Sequence, residues 1–122
     1  ILKKKTNIKI IGRIVHPYVQ NELKKFLKKH KNKKLVILDI PLIIENNIEK
    51  SKVILIFVDS KKKDIISRLQ KRINFNADIY RIMKENQLHP KIKMKKSNFI
   101  IKNNFKKKFV IKQIKLIKKT LI

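Results

Sequence analysis

The sequence contains no cysteine and a single glycine, Gly12. Without cysteine there is neither a disulfide framework nor a thiolate metal site. With one glycine there is no Gly-rich phosphate loop in these residues, of either the G-x-x-x-x-G-K-[ST] or the G-x-G-x-x-G kind. Acids are scarce as well: 8 Asp+Glu face 34 Lys+Arg in 122 residues, a net charge of +26. No apolar run approaches the ~18 residues of a membrane span, and the N-terminus lacks a signal-peptide core. The expectation is a soluble, cytoplasmic protein with no membrane partner. His30 and His89 have no acidic or histidine neighbour at ligand spacing, which speaks against a histidine metal centre. A nucleophile paired with a base is also missing.

What is abundant is lysine, isoleucine and asparagine, which occur 30, 24 and 11 times and fill 65 of 122 positions. All three have A/T-rich codons, so a drift toward lysine on exposed positions accounts for the charge without any nucleic-acid partner. The alternative is a small basic nucleic-acid-binding protein, for which the balance of charge argues. Against it, six Phe and two Tyr do not form the interleaved aromatics of a base-stacking surface. Only four of the basic residues are arginine, and these are the more informative ones. The length suits one domain that buries roughly 65 % of its unfolded surface. A chain opening on Ile1 rather than methionine reads as a piece of a longer protein, or as the remnant of a gene that no longer functions.

Along the chain, "HPYVQNELKKFLKKH" predicts an amphipathic helix with Pro17 in its first turn and Val19, Leu23, Phe26 and Leu27 at helical spacing. The fifteen residues before it are compatible with a helix. Residues 34–40 are a continuous apolar run and predict a strand covered on both faces, and Val53 to Ser60 repeats the pattern. The segment "PLIIENNIEKSK" between them fits a short helical crossover joining parallel strands. Ser60 is placed to cap a helix carrying Ile65, Ile66 and Leu69 and running to Arg72. A further helix from about Asn76 has Ile79, Ile82 and Met83 on one face. Asn98 to Asn103 predicts a short strand, and the C-terminal stretch a helix with Val110, Ile114, Ile117 and Leu121 inward. The order is that of an α/β protein with a doubly wound parallel sheet.

In such sheets ligands sit beyond the carboxyl ends of strands, which places Asp39, Asp59 with Ser60, and Lys102 to Asn104 on one rim. Asp59 reads as a loop acid before a helix, and Asp39 either as the same or as an acid that orients a magnesium ion or water. Arg68 and Arg72 are four apart and would share a helix face. Two such guanidinium groups repel unless an anion lies between them, and phosphates match their forked donors; the plainer reading is two solvated arginines. His16, before Pro17, would cap the helix or meet an anion at its positive end.

Taken together, "HP" at His16-Pro17, "PLIIEN" at Pro41 to Asn46 and "VILIFVDS" followed by "RLQKR" resemble the C-terminal part of the dephospho-coenzyme A kinase family. Gln87, Lys93 and "SNFIIKNNF" continue the match, which runs from His16 to Asn104 and sets Ser97-Asn98 where the family has Ala-Asp and Phe105 where it has a late glycine. The resemblance implies a P-loop NTPase-type doubly wound sheet with a helical lid and with the phosphate-loop part lying upstream. It implies transfer of the γ-phosphoryl of ATP to the ribose 3′-hydroxyl of dephospho-coenzyme A, with magnesium, as the last step of coenzyme A synthesis. The implied partners are those two substrates and no specific nucleic acid, and these residues alone are expected to be inactive. By the same resemblance residues 1–33 form an acceptor-binding segment, 34–60 core strands, 61–96 lid helices, and 97–122 the last strand and terminal helix. His16, Pro41, Leu42 and Glu45 would shape the acceptor pocket, Arg68 and Arg72 would close over the triphosphate, and Asn103 would lie near the adenine.

Overall fold

Pro17 does not begin a helix. In the computed structural model, which describes residues 5–45 and 53–122 and side chains from residue 10 on, it lies inside one 25-residue helix, α1 (Lys5–Lys29). An interior proline lacks the N–H that would reach the Arg13 carbonyl, at a cost of about 3 kcal/mol. The neighbouring Lys, Leu, Glu and Gln residues are good helix formers, and together they outweigh one breaker. Gly12 gives room one turn upstream. A Cβ there would stand 3.3 Å from His16 Cε1, so the glycine accommodates the imidazole. Lys28 and Lys29 in the last turn complement the negative helix end, and the Phe26 and His30 rings meet at 4.5 Å between centroids.

The expected strand at 34–40 is not paired. Residues 35–40 have no regular secondary structure: among the described residues the sheet has two strands and neither lies here. Burial alternates along the segment: Val36, Leu38 and Ile40 are half-buried, while Ile37 is 82% exposed. A continuous apolar run reports a tendency to be buried; a ladder also needs a neighbouring backbone, which composition does not encode. Residues 41–45 form turns rather than a helix, with Leu42 in left-handed backbone (φ 56) and Ile44 buried at 6% exposure. The rest of the expected crossover, 46–52, lies outside the described residues.

The two strands are β1 (Ile56–Asp59) and β2 (Phe99–Lys102), parallel and in register from Ile56 opposite Phe99 to Asp59 opposite Lys102. Both are shorter than the apolar runs that predicted them. Asn98 fixes their start: its N–H donates to the Leu55 carbonyl at 2.8 Å, and its Oδ1 accepts from Leu55 N–H at 2.8 Å. Asn103 N–H closes the other end on the Asp59 carbonyl at 2.7 Å. Between them Ile101 is buried at 7% exposure.

Helix α2 (Lys62–Gln70) follows β1 with Lys61, not Ser60, at its N-cap and no side-chain cap; Asp64 supplies the acid of its first turn. Helix α3 (Ala77–Glu85) carries Ile79 and Ile82 half-buried, with Met83 exposed. Helix α4 (Pro90–Lys96) starts on Pro90, and His89 caps it by accepting the Lys91 N–H at its Nδ1. Helix α5 (Lys107–Leu121) has Val110, Gln113, Ile117 and Leu121 half-buried, whereas Ile114, expected inward, is 47% exposed. Gln113 takes the inward place because its amide engages β2: Oε1 accepts from Lys102 N–H and Nε2 donates to the Lys102 carbonyl, both at 2.9 Å.

The chain divides into two compact units. One contains Ile1–Ile48 and Ala77–Gln87, hence α1, the 35–45 segment and α3; the other contains Glu49–Asn76 and Leu88–Ile122, hence the parallel pair, α2, α4 and α5. The protein is therefore mixed α/β with a small parallel sheet.

Candidate active site

Helix α2 ends between its two arginines. Arg68 is in the last turn, Lys71 is the C-cap, and Arg72 lies just beyond, its N–H donating to the Leu69 carbonyl at 3.0 Å. They do not share a regular helix face, yet both line one cleft of about 480 Å³ with Ile65, Leu69, Lys71 and Phe105. The tightened turn returns Arg72 to the side on which Arg68 stands. Three cations border this cleft and no carboxylate does. Around one cleft their mutual repulsion is best offset by an anion with several oxygens, which guanidinium groups bind through paired N–H donors.

Phe105 brings the loop after β2 to the same cleft. Phe105 is in left-handed backbone (φ 62), where most side chains meet steric resistance. Two asparagines hold the loop: Phe105 N–H donates to Asn103 Oδ1 at 2.8 Å, and Lys106 N–H to Asn104 Oδ1 at 3.0 Å. Asn103 thus uses its side-chain oxygen to shape the loop. The Phe105 ring receives the Arg68 guanidinium, whose Cζ lies 4.5 Å from the ring centroid.

The other expected site residues fall in the other compact unit. Asp39 and Pro41 are exposed, Leu42 and Glu45 half-buried, and all four lie within one short stretch. His16 is half-buried in the middle of α1, so it neither caps that helix nor stands at its positive end. Among the described residues no three His, Cys, Asp or Glu side chains gather as a metal site. Sequence reasoning missed Lys71 and Phe105. For Phe105 a signal existed: an aromatic stands where the resembled family has glycine, directly after two asparagines.

The dephospho-CoA kinase family model matches residues 1–108. The chain belongs to that family. Dephospho-CoA kinases of a Wolbachia from Brugia malayi and of Wolbachia pipientis wMel are each 32% identical to it over 111 residues, 89% of this chain and 56% of theirs. The dephospho-CoA kinase of Fusobacterium nucleatum is 28% identical over 106 residues, 85% of this chain and 53% of its own. The chain thus spans about half the length of the curated relatives it matches. No solved structure matches it. The dephospho-CoA kinase match begins before His16 and extends beyond Asn104, taking in Phe105 and its loop, while most of α5 lies outside it. No helix among the described residues is long and apolar enough to cross a membrane.

Proposed function

We propose that the protein carrying this sequence transfers the γ-phosphoryl group of ATP to the ribose 3′-hydroxyl of dephospho-coenzyme A in the cytoplasm, giving coenzyme A. The observation behind this reading is the cleft bordered by Arg68, Lys71 and Arg72 without an acid, in a chain of the dephospho-CoA kinase family. Phosphoryl transfer asks little covalent chemistry of a protein. It depends on alignment of acceptor and donor and on neutralising charge that spreads over the transferring oxygens.

In this reading Arg68 and Arg72 bind the triphosphate, and residues 61–96 act as a helical lid that excludes water as it closes. His16, Pro41, Leu42 and Glu45 shape the acceptor pocket, with residues 1–33 as the acceptor-binding segment. Asn103 lies beside the adenine, where its loop role keeps the turn in place. Residues 34–60 and 97–122 contribute strands and the terminal helix to a doubly wound, P-loop NTPase-type sheet. Asp39 is one exposed carboxylate, which suits Mg²⁺: that ion keeps several waters and takes one or two carboxylates besides phosphate oxygens. When bound, magnesium would supply further neutralisation of the β- and γ-phosphates.

The test is a transfer assay with ATP and dephospho-coenzyme A on the protein that contains this sequence. Arg68→Ala and Arg72→Ala are each expected to lower kcat by about 10²–10³-fold, whereas His16→Ala raises KM for dephospho-coenzyme A more than KM for ATP. Unchanged rates in both arginine variants remove the triphosphate assignment. A wild-type protein that binds neither substrate sinks the reading altogether.

A further inference from the structure

We propose that Phe105 is a positioning residue: its ring holds the Arg68 guanidinium at the cleft that Lys71 and Arg72 also line, keeping the arginine in place for a polyphosphate. This role rests on the reading of that cleft as the triphosphate site. The contact is direct, with Arg68 Cζ 4.5 Å from the ring centroid, and both residues line the cleft.

Two independent features make the ring more than incidental packing. The first is its backbone. Phe105 adopts φ 62 without being glycine, and a bulky residue stays there only when its surroundings impose it. Here the Asn103 Oδ1 acceptor and the Asn104 turn do so. Glycine would occupy the same turn without resistance, so the strain is associated with the presence of a side chain, and that side chain faces Arg68.

The second is the chemistry of the contact. An arginine beside two other cations turns away toward water unless something attracts it. A carboxylate would hold it, but would also neutralise it and compete with an incoming anion. The face of an aromatic ring attracts a cation through its quadrupole and carries no net charge. Phe105 therefore retains Arg68 while leaving its full positive charge, and its N–H donors, for a ligand. No acid lines the cleft, and the ion pairs of Glu22 with Lys25 and of Asp78 with Arg81 lie elsewhere in the chain.

These 122 residues include no tryptophan, so Phe105→Trp places against Arg68 an indole fluorophore that none of them otherwise supplies. Titration with inorganic tripolyphosphate and with ATP at low salt, by calorimetry and by indole emission, tests the role. Phe105→Leu keeps apolar volume but is expected to weaken both ligands about two- to five-fold. Phe105→Trp and Phe105→Tyr retain wild-type affinity, and the Trp emission changes on ligand addition only while Arg68 is present. Phe105→Gly relieves the backbone, melts no lower than Phe105→Leu, and still loses affinity; a purely structural role would make affinity follow melting temperature. If Arg68→Ala weakens binding while Phe105→Leu does not, the positioning role is wrong and the cleft assignment stands. If neither Arg68→Ala nor Arg72→Ala weakens tripolyphosphate, the cleft assignment fails and the role of Phe105 fails with it.

Discussion

Leu42 and Phe105 both sit in left-handed backbone without being glycine. Each is in a segment that the family resemblance singles out, the P-L-x-x-E of Pro41 to Glu45 and the loop after the last strand. Conformations of this kind persist where packing and hydrogen bonds over-determine them, and they gather at functional sites. For Leu42 the strain separates cleanly from the side chain. Leu42→Ala and Leu42→Gly both delete its contacts, but only glycine relieves φ 56, so Leu42→Gly is expected to be the more stable of the two by about 1 kcal/mol in urea unfolding. Equal stabilities, or a less stable glycine variant, would show that the turn is not strained. Pro17 is the opposite case, a residue that resists its surroundings. Pro17→Ala restores one interior hydrogen bond of α1 and is expected to raise helical ellipticity and stability, by up to about 3 kcal/mol; a fall in both would mean that α1 depends on the proline's shape. The arginines were legible in the sequence because a lysine-rich surface made them exceptions. The turn at Phe105 was marked by the glycine of the resembled family, but its contact with Arg68 was not, since a cation over a ring is not written in residue spacing.

At the level of elements, periodicity located α2, α3 and α5, and apolar runs located β1 and β2. Each reading erred where partners mattered. The run at 34–40 has the composition of a buried strand, yet pairing depends on another backbone. Ser60 has a capping side chain, but the N-cap position falls one residue later, on Lys61. In α5 the expected face is right at Val110, Ile117 and Leu121 and wrong at Ile114, because Gln113 satisfies the backbone of Lys102 and takes the inward place. Gln113→Ala removes a donor and an acceptor from the end of the strand and is expected to cost about 1 kcal/mol. Gln113→Glu should cost more at neutral pH, since it presents a second acceptor to the Lys102 carbonyl. Stability measured by denaturant unfolding decides both, and a harmless Gln113→Glu would show that the amide contributes nothing.

For the molecule as a whole, little is deeply buried and much is charged. Among the described residues only Ile44 and Ile101 are buried apolar side chains, against a net charge of +26. Self-repulsion is therefore expected to weigh heavily on stability, and screening should relieve it. The melting temperature is expected to rise from low to physiological salt, and further with sulfate or phosphate than with chloride. A flat salt response would mean that the lysines are spaced widely enough not to interact. Family membership was readable from short motifs in the right order; the division into two compact units was not, since α3 joins the N-terminal segment across intervening sequence. The amide of Gln113 has one more effect. In a parallel ladder alternate residues address opposite edges; Asn103 donates toward β1, so Lys102 addresses the outer edge, where Gln113 meets it. On that side one side chain occupies both backbone groups of Lys102. A strand added on that side would first have to displace the Gln113 amide from Lys102.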